Sequence, residues 1–367
     1  MSREKLVEAP RGPAHFMVAR LQKLALGLIL IALASAALVF TDRTKDRDET
    51  TSNAAASKHI PHIAVLTYNR TPNFEESYAG FEKEMAALGY EDGKNCRMTL
   101  HDAQFDIGVL NTIVAAISSE KPDVVVPFTT PALQCVVRTI KERPVVFCMG
   151  ASGIVAGAGT SNSDHLPNVT GAEIVHDWPL MIKVAKSVFP GLRQAGTTYA
   201  PSESNSVWYR DTWARALSAA GIELISIGAE RPTELPEAAD AVLAKGVPVM
   251  LQLSDNTAST GFGAIVKSAM RANVPVFTFA PSTMKRGATL AVARDFAEVG
   301  EVGARLVDRV LRGEDPAKIP FEATSKTTIL VNRELVEYFK LTVPEEFLRV
   351  AEFVESEDDI IPGEAPR

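Results

Sequence analysis

Residues 62–68, HIAVLTY, form a short apolar run that leads into residues 73–88, NFEESYAGFEKEMAAL, and this succession decides the fold. In the second stretch Phe74, Tyr78, Phe81, Met85 and Leu88 recur at helical spacing, and Gly89 ends the period. The strand-then-helix pattern continues with a strand at 97–101, a helix at 107–118, a strand at 123–128, a helix at 132–141 and a strand at 144–148. Runs such as DVVVPF (123–128) carry apolar residues at consecutive positions, so both faces must be buried. Such strands, separated by amphipathic helices, predict a parallel sheet covered on both sides.

The pattern breaks at residues 150–168, GASGIVAGAGTSNSDHLPN, and then restarts. Helices are expected at 180–188, 207–219, 236–244, 258–272 and 299–311. Strands are expected at 195–199, 223–227, 247–253, 274–279 and 289–293. The reading is two doubly wound α/β lobes of similar size. Ligands of such sheets bind beyond the carboxyl ends of the strands, and two facing lobes put that site in the cleft between them.

The ends of the chain are different. Residues 1–23 are a basic n-region, and residues 24–40, LALGLILIALASAALVF, are apolar without a charge. This is the pattern of an export signal, with Ala34-Ser35-Ala36 as an A-x-A-like cleavage site. The run also has about the minimum length of a membrane span, roughly 17 residues. Removal and retention as an anchor both stay open, and either puts the body outside the cytoplasm. Residues 41–59 read as a solvated linker and residues 355–367 as a frayed acidic tail.

Charge and motifs narrow the function. The chain has 38 Lys and Arg against 45 Asp and Glu, a net charge of −7. An acidic body lacks the basic face that nucleic acid requires. Cys96, Cys135 and Cys148 are an odd set, which leaves at least one thiol unpaired in an oxidising space; Cys135 and Cys148 could pair, but both sit in apolar stretches, as small buried hydrophobes do. No CxxC, HExxH or Cys/His cluster suggests a metal, and no cofactor motif is present. The Gly-rich segment 150–159 matches neither dinucleotide nor P-loop patterns and lacks a phosphate-reaching Lys. No nucleophile–base arrangement supports catalysis.

Three strand-end segments concentrate polar groups. Thr129-Thr130-Pro131-Ala132 offers hydroxyls and N–H groups at a helix start, suited to a carboxylate or phosphate; a Thr N-cap with Pro at the first turn is the plainer reading. Residues 200–206, APSESNS, crowd a carboxylate, an amide and hydroxyls into one loop. Ser254-Asp255-Asn256-Thr257 places an acid where it could hold an ammonium group or cap the next helix.

These segments resemble the periplasmic solute-binding proteins of ABC transporters, in particular the tryptophan or aromatic-amino-acid type with the type I periplasmic binding fold. The resemblance runs from about residue 62 to 354. It rests on GFEKEMAALGYEDGKN (80–95), TTPALQ (129–134), RPVVF (143–147), NVTG (168–171), PSESNS (201–206), SDNT (254–257), VPVF (274–277) and LRGEDPAKIP (311–320) in that order. It implies three crossovers, with 60–171 and 281–320 in lobe 1, and 172–280 and 321–354 in lobe 2. It also implies a monomer that captures an amino-acid-like solute, closes around it and presents it to a membrane permease.

By position, the resemblance implies that Thr129, Thr130 and Gln134 line one side of the cleft. Glu203, Ser204, Asn205, Ser206, Asp255 and Asn256 would line the other, with Asn69 and Asp295 as further candidates. Hydroxyls and N–H groups would take the ligand carboxylate, and Glu203 or Asp255 its ammonium. Phe74 or Phe279 could face an apolar side chain, although core packing suits both. Three departures from the family pattern bear on the ligand: Ser152 and Gly153 replace an Asp-Pro pair, Ala200 replaces an Asn, and the first loop adds Arg70. A membrane-tethered sensory or accessory domain on the same fold is the alternative function. An exported α/β enzyme would need the nucleophile or acid–base pair that is not found.

Overall fold

The computed structural model describes residues 59–253, 255–357 and 360. The export-signal or anchor reading of 24–40, and most of the linker, lie outside them. Among the described residues no helix is long and apolar enough to cross a membrane.

The first lobe alternates strand and helix as far as β4, and β5 follows without a helix: β1 (His62–Thr67), α1 (Pro72–Ala87), β2 (Arg97–Asp102), α2 (Ile107–Glu120), β3 (Val124–Phe128), α3 (Thr130–Thr139), β4 (Val145–Gly150) and β5 (Val169–Glu173). The second follows with α4 (Trp178–Val188), β6 (Gln194–Tyr199), α5 (Ser204–Ala219), β7 (Glu223–Gly228), α6 (Leu235–Leu243), β8 (Met250–Gln252), α7 (Asn256–Arg271), β9 (Val276–Thr278) and β10 (Leu290–Arg294). The chain then returns to the first lobe with α8 (Phe296–Leu311) and β11 (Glu322–Ala323). It ends in the second with β12 (Thr327–Asn332), α9 (Arg333–Tyr338), α10 (Glu345–Leu348) and β13 (Glu352–Val354).

The strand order is β11-β5-β4-β3-β1-β2 in one sheet and β13-β12-β10-β9-β8-β6-β7 in the other. All pairs are parallel except β10 with β12. β3 and β4 are almost wholly buried, as their uninterrupted apolar sequences require. Each sheet has a core on both faces. Phe74, Phe81 and Phe128 pack with α8 on one side of the first sheet, and Leu66, Leu133 and Phe147 on the other. Trp213, Phe277 and Phe279 fill one side of the second sheet, and Phe262 and Ile265 the other. Phe74 and Phe279 are therefore core residues. Cys96, Cys135 and Cys148 are buried free thiols.

Two assignments change. Residues 281–294 do not belong to lobe 1: after β9 the chain makes a short 3-10 turn (Pro281–Thr283) and β10 pairs with β9 and β12 inside the second sheet. The crossover falls at Asp295, and α8 returns to pack on α1. That packing is close because Gly80 and Gly300 face it; a Cβ on Gly300 would lie 1.8 Å from the Ser77 carbonyl oxygen. Likewise β11 joins β5 at the edge of the first sheet, so the last crossover follows residue 323. The start of the acidic tail is docked rather than frayed. Ser356 accepts from Asn332 Nδ2 at 2.7 Å, Glu357 N donates to Lys285 O at 2.8 Å, and Ile360 packs on the second lobe.

One side chain ties the three crossovers together. Arg294 Nε donates to Val175 O at 2.6 Å in the first crossover, and Nη1 donates to Ser325 O and to Thr327 Oγ1 in the third. Asp295, beside it, pairs with Lys326 at 2.8 Å.

Candidate functional site

The carboxyl ends of β3, β4, β6 and β8 converge on one cavity, the position where doubly wound sheets take their ligands. Thr71, Asn73, Thr129, Thr130, Met149, Ala151 and Phe296 line it from the first lobe. Asn205, Tyr209, Asp255, Asn256 and Ser259 line it from the second, and Ile174 and His176 from the first crossover.

Thr129 does not act as an N-cap. It has φ +76°, a sterically costly conformation for a β-branched residue, and makes no side-chain cap bond. Its hydroxyl is buried without a partner. The N-terminus of α3 is thus left open at the cavity, where its unpaired N–H groups favour an anion. Thr130 instead accepts from Ala151 N at 3.2 Å and joins the ends of β3 and β4.

The acidic groups divide their roles. Glu203 stands just before α5 but caps α7. Its carboxylate accepts from Asn256 N (3.1 Å), Asn256 Nδ2 (2.7 Å), Thr257 N (2.9 Å), Thr257 Oγ1 (2.7 Å) and Asn205 Nδ2 (3.3 Å). A carboxylate has about four lone-pair sites, so Glu203 has none left for a ligand ammonium. Asp255 caps α7 through Ala258 N at 2.6 Å and accepts the Ser206 hydroxyl, which itself accepts from Ala200 N. Asp255 lines the cavity and retains acceptor capacity. Burial first, and the nearby Glu203 charge second, push its carboxyl up to about 7.

Of the sequence candidates, Thr129, Thr130, Asn205, Asp255 and Asn256 line one cavity. Glu203 and Ser206 lie behind it as supports. Ser204 is half-buried, with its hydroxyl oxygen lacking a partner. Gln134 sits half-buried on α3, away from the lining. Asn69 is buried and donates from Nδ2 to Thr260 Oγ1 at 3.1 Å across the cleft. Asp295 caps α8 through Glu298 N at 3.0 Å and belongs to the crossovers. Sequence reasoning missed Asn73, Met149, His176, Tyr209 and Ser259. The sole signal for His176 is a lone histidine just past the strand NVTGAEIV, where the chain leaves the lobe.

Asn205 Oδ1 and His176 Nδ1 are, like Thr129 Oγ1, buried without a partner. Buried polar atoms in native proteins are nearly always satisfied. Three such groups belong to residues that line one cavity. Among the described residues no group of three or more His, Cys, Asp or Glu could hold a metal ion.

The profile of the family described as ABC transporter substrate binding protein matches residues 62–355. The chain is similar to the tyrosine-binding protein of Clostridioides difficile strain R20291, with 23% identity over 76% of this chain and 80% of that one. Among solved structures, a conserved domain protein from Vibrio cholerae O1 biovar El Tor superposes with a TM-score of 0.77 at 25% identity. That match covers 82% of this chain and all of the other. An ABC domain from Streptococcus pneumoniae in complex with L-Trp also gives 0.77, at 23% identity, over 81% of this chain and all of the other.

Proposed function

The chain belongs to the ABC transporter substrate binding protein family, and on that premise we propose that it captures a free amino acid in the interlobe cavity and delivers it to an importer. One observation carries the reading: a buried carboxylate, Asp255, and the uncapped N-terminus of α3 at Thr129 border the same cavity. Such a pair is complementary to the ammonium and carboxylate of a zwitterion. Asn205 Oδ1 completes the ammonium side and Thr129 Oγ1 the carboxylate side. The likenesses to proteins described with tyrosine and with L-Trp support an aromatic amino acid.

The lobes close on the ligand because it contacts both at once, so it stabilises the closed state over the open one. The permease then reads the closed arrangement. The apolar run at 24–40 brings the body to the extracytoplasmic side, where the protein works as a monomer. Thermal unfolding against an amino-acid panel tests this. A ligand at a hundredfold excess over Kd stabilises the folded state by about 2.7 kcal/mol. A selective shift for amino acids, lost in Asp255→Ala, is expected. No shift with any amino acid would refute the reading.

A further inference from the structure

His176 sits three residues beyond β5, in the first crossover, and is 5% exposed. It lines the cavity, yet its Nδ1 has no partner. The ring is held between Trp178 (5.2 Å between centroids), Tyr209 (4.9 Å) and Phe279 (4.9 Å), so its position is set by packing. The Tyr209 hydroxyl is already committed to Ile174 O at 3.2 Å. The imidazole is kept neutral, pushed down to about 3 by burial and then by the Arg294 guanidinium. A neutral imidazole has one donor and one acceptor nitrogen and no charge. With the ammonium taken by Asp255 and Asn205 and the carboxylate by Thr129 and the N-terminus of α3, the imidazole is left for a neutral polar group.

Given the amino-acid reading above, on which this rests, we infer that His176 selects ligands whose side chain carries a neutral hydroxyl or N–H group. Met149, Ala151 and Ile174 share this cavity and supply apolar contact for the body of such a side chain. An isosteric hydrocarbon side chain would fill the same space but leave the imidazole nitrogen dry and unpaired. Sites that hydrogen-bond a ligand group reject analogues lacking it far more strongly than apolar sites reject a missing methylene.

The test is calorimetry of matched pairs on the full chain: L-tyrosine with L-phenylalanine, L-tryptophan with L-naphthylalanine, and L-threonine with L-valine. For the best-bound pair, the polar member should bind at least about tenfold tighter. His176→Phe, which keeps the aromatic packing, should bring that ratio close to one while the apolar member binds as before. His176→Gln, which keeps a donor and an acceptor, should restore part of the preference. Circular dichroism and the unfolding temperature establish that each variant is folded. A ratio near one in the native protein, or one unchanged in both variants, would overturn the inference alone. Absence of binding by every amino acid would overturn the amino-acid reading and this inference with it.

Discussion

Asn69, at the end of β1, donates from Nδ2 to Thr260 Oγ1 in α7 at 3.1 Å, a hydrogen bond from one lobe to the other across the cleft. Asn73 makes a parallel contact to Ser259 Oγ at 3.4 Å, and Ser282 donates to Asn73 Oδ1. These contacts join residues of the two lobes and hold this arrangement before any ligand is counted.

Removing the Asn69–Thr260 bond should therefore weaken ligand binding without touching the ligand. A net hydrogen bond contributes about 0.5–1.5 kcal/mol, so Thr260→Val should raise Kd roughly two- to tenfold. Calorimetry gives the affinity, and small-angle scattering should show a more open ligand-free protein. An unchanged Kd would mean that closure does not draw on this contact.

The Asp255 carboxyl makes stability and affinity depend on pH in opposite directions. Its folded-state value, about 7, lies above the ordinary 3.8. The folded state thus holds a proton that the unfolded state has lost. The stabilisation is complete below about pH 4 and disappears as pH rises through 7. Asp255→Asn should accordingly gain stability over the native protein at pH 8 and lose that advantage near pH 4. A bound ammonium favours the ionised form, so affinity should fall about tenfold per pH unit below 7. A flat affinity between pH 5.5 and 8 would exclude Asp255 as the ammonium partner.

Glu203→Gln separates support from recognition. The substitution leaves backbone donors of Asn256 and Thr257 facing an amide that can satisfy fewer of them. A loss of about 1–3 kcal/mol is expected, read as a lower midpoint in chemical denaturation. Removing the like charge also lowers the Asp255 carboxyl, so the pH dependence of binding should shift to more acidic values. Full stability in this variant would contradict the capping role.

Arg294→Met removes the guanidinium that bonds Val175 O and Ser325 O. The two carbonyls lose charge-assisted bonds, each of about 1.5–3 kcal/mol. The unfolding temperature should drop, and scattering should report a wider spread of interlobe angles. His176 would also lose a positive neighbour, so its imidazole should titrate at higher pH, measurable by NMR. An unaltered histidine titration would show that burial alone holds the ring neutral.

The lobes and most of the strand-end loops were legible in the sequence because they depend on local periodicity. DVVVPF reads as a strand covered on both faces, and NFEESYAGFEKEMAAL as a helix with one apolar stripe. The position of a ligand site at strand ends follows from that alternation, and the segments that hold Thr129, Asn205, Asp255 and Asn256 stand at such ends; assigning these residues to the cleft is what the family resemblance implies.

What the sequence determined by itself is the class of fold, the two repeats of the βα rhythm and the polar loops at the strand ends, since all of these follow from the spacing of apolar and polar residues along the chain. Tertiary structure alone decided which sheet LAVAR (290–294) joins, because an apolar strand is equally content in either. It also decided that Glu203 is consumed by the N-terminus of α7, 53 residues away in sequence, while Asp255 keeps acceptor capacity at the cavity. It put His176 at the cavity between three aromatic rings. The reason is common to the three cases. Sheet choice, hydrogen-bond satisfaction and desolvation are set by residues distant in the chain that folding makes neighbours, and no local pattern encodes them.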